Sequence, residues 1–329
     1  MINEFKNFMN FSKWFCSVFS KLIQKSSKIQ ASLAIFGAII LLRHSFNAIK
    51  FIYQWSIRPG FDLYQRYGGG YAVITGGTDG IRLAYCYELA KRGFNLLIIS
   101  RSHEKLENKR NEIRNLFPNI DVQILAIDFS TESPEIISRD VKNSTKNLDV
   151  SLLVNNVGTV IFNEFEKHSK KEISDLININ IISCTIMNWV LIPKMLRRSH
   201  KSGIISISSG SRSGRFPYTA IYAATKSYIN TLSKVLSIEY ENKIDIISFK
   251  TGLVTTKSEP IHHVLSASPS SLPFHNLKFL GHTNCTTGHW KHELTEILQK
   301  AFFTKSILMK YGSDFLKGSK ENLKKIKAS

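Results

Sequence analysis

The sequence predicts an α/β fold with a doubly wound parallel sheet, preceded by apolar helices that associate with a membrane. Three observations carry that expectation. From Tyr71 onward, short runs of Val, Ile and Leu alternate with longer helical patterns; a glycine-rich turn separates the first run from the first helix; and a long uncharged stretch precedes residue 60. With 329 residues, 43% hydrophobic and 21% charged, the chain can bury a substantial core and is not a disordered polymer.

At the amino-terminal end, "FKNFMNFSKWFCSVFSKLIQ" repeats Phe5, Phe8, Phe15, Phe19 and Leu22 at helical spacing, with Lys6, Lys13 and Lys21 among them. This pattern assigns residues 1–26 to a helix lying in a membrane interface. The next stretch, "ASLAIFGAIILL", holds twelve residues without a charge, short of the ~20 that span a bilayer. A helix from Ile29 to Trp55 still crosses or enters the bilayer if Arg43, His44 and Lys50 snorkel, so residues 27–60 read as a membrane anchor. Two other readings stay open. Both helices could pack on the body of the protein, or the lack of acidic residues between Glu4 and Asp62 could mark a transit peptide.

Charge supports the membrane reading. The formal net charge is +19, yet residues 1–60 hold eight Lys/Arg against Glu4, and residues 301–329 hold seven Lys against Asp314 and Glu321. Basic ends on a nearly balanced body suit an anionic lipid surface, and no nucleic-acid partner is expected. The basic tail, 301–329, ends in "KKIKAS", whose Lys325 and Lys327 resemble a dilysine endoplasmic-reticulum retrieval signal. Cys16, Cys86, Cys184 and Cys285 form no C-x-x-C pair and read as free thiols in a reducing compartment.

Residues 66–300 form the expected catalytic domain, with strands at "YAVIT", "NLLIIS", "VQILAID", "SLLVNN", "GIISIS" and "DIISF". Each run is nearly continuous in aliphatic residues, as in strands covered on both faces. Stretches such as "GIRLAYCYELAKRG" supply the crossover helices, and ligands are expected at the carboxyl ends of the strands.

The turn "TGGTDGIR" follows the first strand directly. Gly76 permits a tight bend and Gly80 opens the helix, so the backbone of Gly76, Thr78, Asp79, Gly80 and Ile81 can hold a pyrophosphate. Arg82 stands where a third glycine would complete the pattern. Its side chain leans back toward the helix N-terminus, where it is either a phosphate clamp or a plug. Strand two ends in "SRS" rather than in an acidic residue, and Arg101 there favours a 2′-phosphate, hence NADP(H) over NAD. Asp128, at the end of "QILAID", can accept from an adenine amine or cap a helix.

In "SSGSRSGRFPYTAIYAATK", Tyr222 and Lys226 lie four apart on one helix face, and Ser209 ends the fifth strand. A neighbouring ammonium stabilises a phenolate, bringing a tyrosine into range for proton transfer, while a serine can hold an oxygen that gains charge.

With "TGGTDGI", "NNVG" at residues 155–158, Asn180 in "NININIIS", Ser209 and "YAATK", the chain resembles the short-chain dehydrogenases/reductases, over roughly residues 70–257. The resemblance implies a Rossmann-type fold, Tyr222 as general acid/base and Lys226 as its electrostatic partner on the nicotinamide ribose. It further implies that Ser209 orients the substrate, that Asn180 holds a relay water, and that Asn155 belongs to the cofactor site.

Together with "ELAKRGFNLLIISRSHEKLE" and "LGHTNCTTGHWKHEL", the chain is similar to very-long-chain 3-oxoacyl-CoA reductases, a group that includes 17-beta-hydroxysteroid dehydrogenase type 12. That likeness implies an endoplasmic-reticulum membrane enzyme with a cytosolic catalytic domain. Its reaction would be NADPH-dependent reduction of a long-chain 3-oxoacyl-CoA in fatty-acid elongation. A steroid or retinoid carbonyl is the alternative substrate, and a non-catalytic scaffold impaired by Arg82 the alternative of another class. Elongation-complex proteins or a second copy of the chain are the implied protein partners. The pattern departs at Arg82 and at Lys250 and Thr251, where the group carries a proline before its Gly or Tyr.

Six of ten histidines fall between His262 and His292. Without a cysteine or carboxylate at ligand spacing they suggest no metal site, and they are expected in a substrate lid or at the surface.

Overall fold

The computed structural model describes residues 27–213, 216–252, 254 and 266–302, with isolated positions at 17, 20, 21, 307, 309, 310, 313, 314 and 318. Nearly all of the interfacial segment and the basic tail, including Lys325 and Lys327, lie outside the described residues, as do 253 and 255–265 in the expected substrate loop. The chain divides into two units, Met1–Pro59 and Gly60–Ser329.

In the first unit, α1 (Ser27–Ile52) continues into a π turn at Tyr53–Ile57. Its 26 residues at 1.5 Å per residue give a rod of about 39 Å, longer than the ~30 Å hydrocarbon core of a bilayer. None of its residues is buried, and Phe36, Leu41 and Leu42 are 63%, 69% and 70% exposed. Ser27–Ile57 is long and apolar enough to cross a membrane, and its exposed apolar side chains suit a lipid surround.

The second unit begins with α2 (Leu63–Tyr67), then alternates β1 (Tyr71–Thr75), α3 (Gly80–Lys91), β2 (Asn95–Ser100), α4 (His103–Leu116), β3 (Val122–Ala126), α5 (Pro134–Thr145) and β4 (Val150–Asn155). There follow α6 (Lys170–Ile177), a π turn (Asn178–Ile182), α7 (Ser183–Met195), β5 (Ser202–Ser209), α8 (Ala220–Glu239) and β6 (Ile244–Thr251). The described part closes with α9 (Ser271–Leu277), β7 (Cys285–Thr286) and α10 (Trp290–Phe302). The six expected strands all form; β7, two residues long, is an addition that its sequence gave no reason to expect.

All strand pairs are parallel, in the order β3-β2-β1-β4-β5-β6-β7. The order reverses between β1 and β4, so right-handed crossovers send helices to opposite faces on either side of that point and leave a ligand position at the carboxyl ends. Central strands are buried on both faces, which explains their nearly continuous aliphatic runs: all six residues of β4 are buried, as are four of five in β1. The stretch Lys170–Met195 is apolar enough to cross a membrane, but half of its most apolar window is buried inside the protein. Its apolar residues Met187, Leu191 and Met195 belong to the core beside β4.

At the opposite end of the sheet, Asp245 on β6 ties down α2. It accepts from Arg66 Nε at 2.6 Å and from the Tyr67 hydroxyl at 2.9 Å, with Lys201 Nζ at 3.4 Å. Burial pushes the Asp245 carboxyl up, but the bonds from Arg66 and Tyr67 outweigh it and leave it below its ordinary value.

Candidate active site

The glycine turn closes tightly because side chains would not fit. A Cβ on Gly77 would lie 2.4 Å from Ile98 Cγ2 and 3.0 Å from Cys86 Sγ, and Gly76 has φ +75°, a left-handed conformation that glycine adopts freely. Gly76 N donates to the Ile99 carbonyl at 2.6 Å, pinning the turn to β2. Gly80, at φ +56°, opens α3, and Asp79 caps the helix by accepting from Gly80 N at 2.7 Å. The first-turn amides of Ile81 and Arg82 have no carbonyl behind them within the helix, which is the donor set a pyrophosphate requires. Thr78 completes the turn, its Oγ1 3.3 Å from Ser100 Oγ.

Arg82 folds back over this turn. Its Cδ and Nη1 lie 2.7 and 3.2 Å from the position a Cβ would take on Gly76. Burial lowers the pKa of its guanidinium, Asp79 raises it and Arg101 lowers it, so the two arginines share one electrostatic neighbourhood. Arg101 is exposed immediately beyond β2. Asp128 follows β3; its Oδ1 accepts from Ser130 Oγ at 2.6 Å and Ser130 N at 3.0 Å, and these bonds hold the carboxyl below its ordinary value against burial. The helix cap expected of Asp128 as an alternative does not form: Ser133 caps α5, since it directly precedes Pro134 and accepts from Ile136 N.

At the end of β4, Thr75 Oγ1 accepts from the amides of Asn156 and Val157 at 3.0 and 3.1 Å, joining the two strands that flank the reversal. Asn155 turns toward α7, its Nδ2 donating to Asn188 Oδ1 at 3.2 Å. Gly158 then allows two side chains to converge: a Cβ there would stand 3.1 Å from Lys226 Nζ and 3.2 Å from Asn180 Oδ1.

Asn180 is fully buried in the π turn between α6 and α7. Its Oδ1 accepts from Thr159 N at 2.9 Å, and its Nδ2 donates to the Thr159 carbonyl and to Thr225 Oγ1, each at 3.0 Å. Thr225 in turn donates to the Tyr222 carbonyl at 2.8 Å, so Asn180 is linked to the helix that carries the tyrosine. On α8, the Lys226 ammonium lies 5.8 Å from the centre of the half-buried Tyr222 ring and donates to the Ile207 carbonyl at 2.9 Å. Ser208 Oγ donates to the Lys226 carbonyl at 2.7 Å, locking α8 to the end of β5, where Ser209 follows. Ser209 Oγ accepts from Ser211 N at 3.2 Å. Burial lowers the Lys226 pKa to about 8; the Cys184 thiol opposes that shift and Arg82 adds to it.

A reactive arrangement of this kind supports proton transfer. A phenol and a buried ammonium lie one helical turn apart, and a serine hydroxyl ends the neighbouring strand; a cation in such a place can stabilise a phenolate. The family model for short chain dehydrogenases matches residues 70–261, which hold all of these groups. The chain belongs to the short-chain dehydrogenase family.

Among relatives of this short-chain dehydrogenase, human "Inactive hydroxysteroid dehydrogenase-like protein 1" is 33% identical over 299 residues, covering 85% of this chain and 88% of the relative. Mouse "Very-long-chain 3-oxoacyl-CoA reductase" is 35% identical over 266 residues, covering 78% and 83%. The L-sorbose reductase of Gluconobacter frateurii, solved with NADPH and L-sorbose, shares the fold with a TM-score of 0.60 and 21% identity, over 68% of this chain and 97% of that one. This dehydrogenase is thus an oxidoreductase by family, with relatives named for both acyl-CoA and steroid chemistry.

Two contributors escaped the sequence reading. Gly158 was visible in "NNVG", but its closeness to Lys226 and Asn180 depends on the tertiary fold; Thr225 carries no sequence signal. The histidines need correction. His289 and His292 are buried, not at the surface, and ring centroids of 4.8 Å for His275–His289 and 5.5 Å for His289–His292 make them one packed cluster. Burial, reinforced by His292, His275 and Lys291, lowers the His289 pKa to about 4, so it is neutral at physiological pH. The His292 ring lies where a Gly252 Cβ would go, 2.8 Å away, and the rings fill core space beyond the end of β6. Among the described residues no His, Cys, Asp and Glu group is arranged to hold a metal ion.

Proposed function

We propose that this chain is an NADPH-dependent reductase of long-chain 3-oxoacyl-CoA thioesters, anchored in the endoplasmic-reticulum membrane and serving fatty-acid elongation. The observation that carries this reading is the convergence of Lys226 and Asn180 on Gly158, with Tyr222 on the same helix as the lysine and Ser209 ending the adjoining strand. The mouse relative supports the substrate class, and the apolar helix α1 supports the membrane.

Gly76, Thr78, Asp79, Gly80 and Ile81 would hold the pyrophosphate of NADPH, Arg101 its 2′-phosphate, Asp128 its adenine and Lys226 its nicotinamide ribose, with Asn155 fixing the β4 end beside it. The chemistry the nicotinamide would supply when held by these residues is hydride donation to the 3-oxo carbon. Tyr222 gives its phenolic proton to the carbonyl oxygen, and Ser209 donates a hydrogen bond to that oxygen as it gains charge. Lys226 stabilises the phenolate left on Tyr222. Asn180 would hold the water that returns a proton to it.

The test is turnover by the full chain in detergent. The expected result is one NADPH oxidised per 3-hydroxyacyl-CoA formed. Reduction of a steroid ketone but not of the thioester would replace the substrate. Arg82 lying over Gly76, and the human relative's name, favour a second reading in which the chain is a non-catalytic scaffold. Absence of turnover with every carbonyl tried, together with failure to bind NADPH, would establish that one.

A further inference from the structure

The residue that breaks the glycine pattern has a definite position. The Arg82 side chain lies over Gly76, and Val157 at the end of β4 also approaches the Gly76 Cβ point, its Cα at 3.4 Å, so the arginine sits beside the reversal between β1 and β4. Arg101, just beyond β2, disfavours the Arg82 charge, and Arg82 disfavours that of Lys226, whose Nζ lies 3.1 Å from the point a Cβ would take on Gly158, the residue after Val157. Asp79 is the carboxylate that favours the Arg82 charge, and it is also the cap of α3. A cation, a carboxylate and a helix N-terminus meet at the glycine turn, the place where this fold binds dinucleotides, and two further cations act on them electrostatically. A partly buried cation among like charges is favourable only against an anion. Arginine also presents a planar fork that pairs bidentately with phosphate oxygens.

We propose that Arg82 is a pyrophosphate-binding residue, a cationic clamp that supplies by side chain part of what the glycine turn supplies by backbone. The proposal rests on the reading of this chain as a dinucleotide-dependent reductase. It makes Arg82 a binding residue for the nicotinamide dinucleotide rather than a plug. Coenzyme A also carries a pyrophosphate, and the experiment separates the two.

The experiment measures NADPH binding by full-length protein in detergent, through the change in NADPH fluorescence, for wild type, Arg82→Met, Arg82→Lys and Arg82→Gly. Coenzyme A is titrated as competitor, and circular dichroism verifies that each variant is folded. Arg82→Met is expected to weaken NADPH binding at least tenfold and to flatten its salt dependence. Arg82→Lys should recover part of the loss, and coenzyme A should not displace NADPH. Equal or tighter NADPH binding by Arg82→Met or Arg82→Gly, including binding that appears only in those variants, would overturn the clamp while leaving the reductase reading in place. An Arg82-dependent affinity for coenzyme A without one for NADPH would overturn it too. Failure of all four folded proteins to bind NADPH would remove the reductase reading and the proposal together.

Discussion

The Lys226 ammonium and the Tyr222 ring sit one helical turn apart on α8 with 5.8 Å between nitrogen and ring centre, while the ammonium is committed to the Ile207 carbonyl at 2.9 Å. That bond fixes the cation independently of the tyrosine. Because burial lowers the Lys226 pKa to about 8, the side chain is charged near neutrality and loses its charge as pH rises through that value. Turnover in the reductive direction is therefore expected to fall above pH 8. In Lys226→Arg, which stays charged, the limb attributable to the lysine should move to higher pH even if the absolute rate is lower. A pH–rate profile identical in the two proteins would remove Lys226 from the titration.

The same shift has a consequence for stability. A lysine whose folded pKa lies below its ordinary 10.5 binds fewer protons folded than unfolded between about 8 and 10.5. Stability from this group therefore rises with pH across that window, and below it the cost of a buried charge is present in full. Lys226→Met should gain most over wild type near neutral pH, and the advantage should shrink toward pH 10.5. Urea unfolding of both proteins at several pH values gives the comparison; a gap independent of pH would show that Lys226 is not buried as a cation.

Gly158 tests whether the Lys226–Asn180 convergence matters. An alanine methyl would stand 3.1 Å from Nζ and 3.2 Å from Oδ1, tighter than ordinary contact, so one of them must shift by a few tenths of an ångström. Catalytic geometry is sensitive to displacement on that scale, and Gly158→Ala is expected to lower kcat about tenfold or more with a smaller change in KM. Unchanged kcat in a folded variant would mean that the convergence is only packing.

How much of this was legible in the sequence differs by kind of feature. The aliphatic runs announced six strands because burial on both faces favours aliphatic residues at consecutive positions, and the spacing of Tyr222 and Lys226 announced a shared helix face because 3.6 residues make a turn. The fold-back of Arg82 over Gly76 was also readable, since helical side chains lean toward the N-terminus. Long-range partners were not. That Asn180 bonds Thr225 across 45 positions, or that His289 and His292 are core residues, follows from packing that no local pattern records. β7 escaped for another reason: its two residues are too few to show any period.

Arg101 sets the expected choice between dinucleotides. It is exposed just beyond β2, where a carboxylate would repel a 2′-phosphate and accept from a 2′-hydroxyl. Arg101→Asp should weaken NADPH binding and strengthen NADH binding, shifting their ratio by roughly tenfold or more, an effect of a kcal/mol or two between competing ligands. Titration of both nucleotides with both proteins is the measurement. An unchanged ratio would make Arg101 a surface cation.

Asp245 lies at the other end of the sheet, and its substitution should separate stability from activity. The carboxylate joins Arg66 and Tyr67 of α2 to β6, and only 8% of its side chain is exposed. Asp245→Asn keeps the shape but leaves Arg66 without its anion; a fully buried pair that loses one member costs about 3–5 kcal/mol, and this pair, with Arg66 24% exposed, lies toward or below the low end. The folded pKa is lowered, so the stabilisation is present above the unfolded value of 3.8 and is lost as pH falls through the folded one. Wild type and variant should differ widely in melting temperature at neutral pH and approach each other in acid. Turnover per folded molecule should stay the same, because Asp245 pairs with Gly203 at the start of the β5–β6 ladder while Ser209 pairs with Thr251 at its far end. If the melting-temperature gap persists in acid, the Asn side chain is harming the packing of α2 and the ion pair is not what holds it.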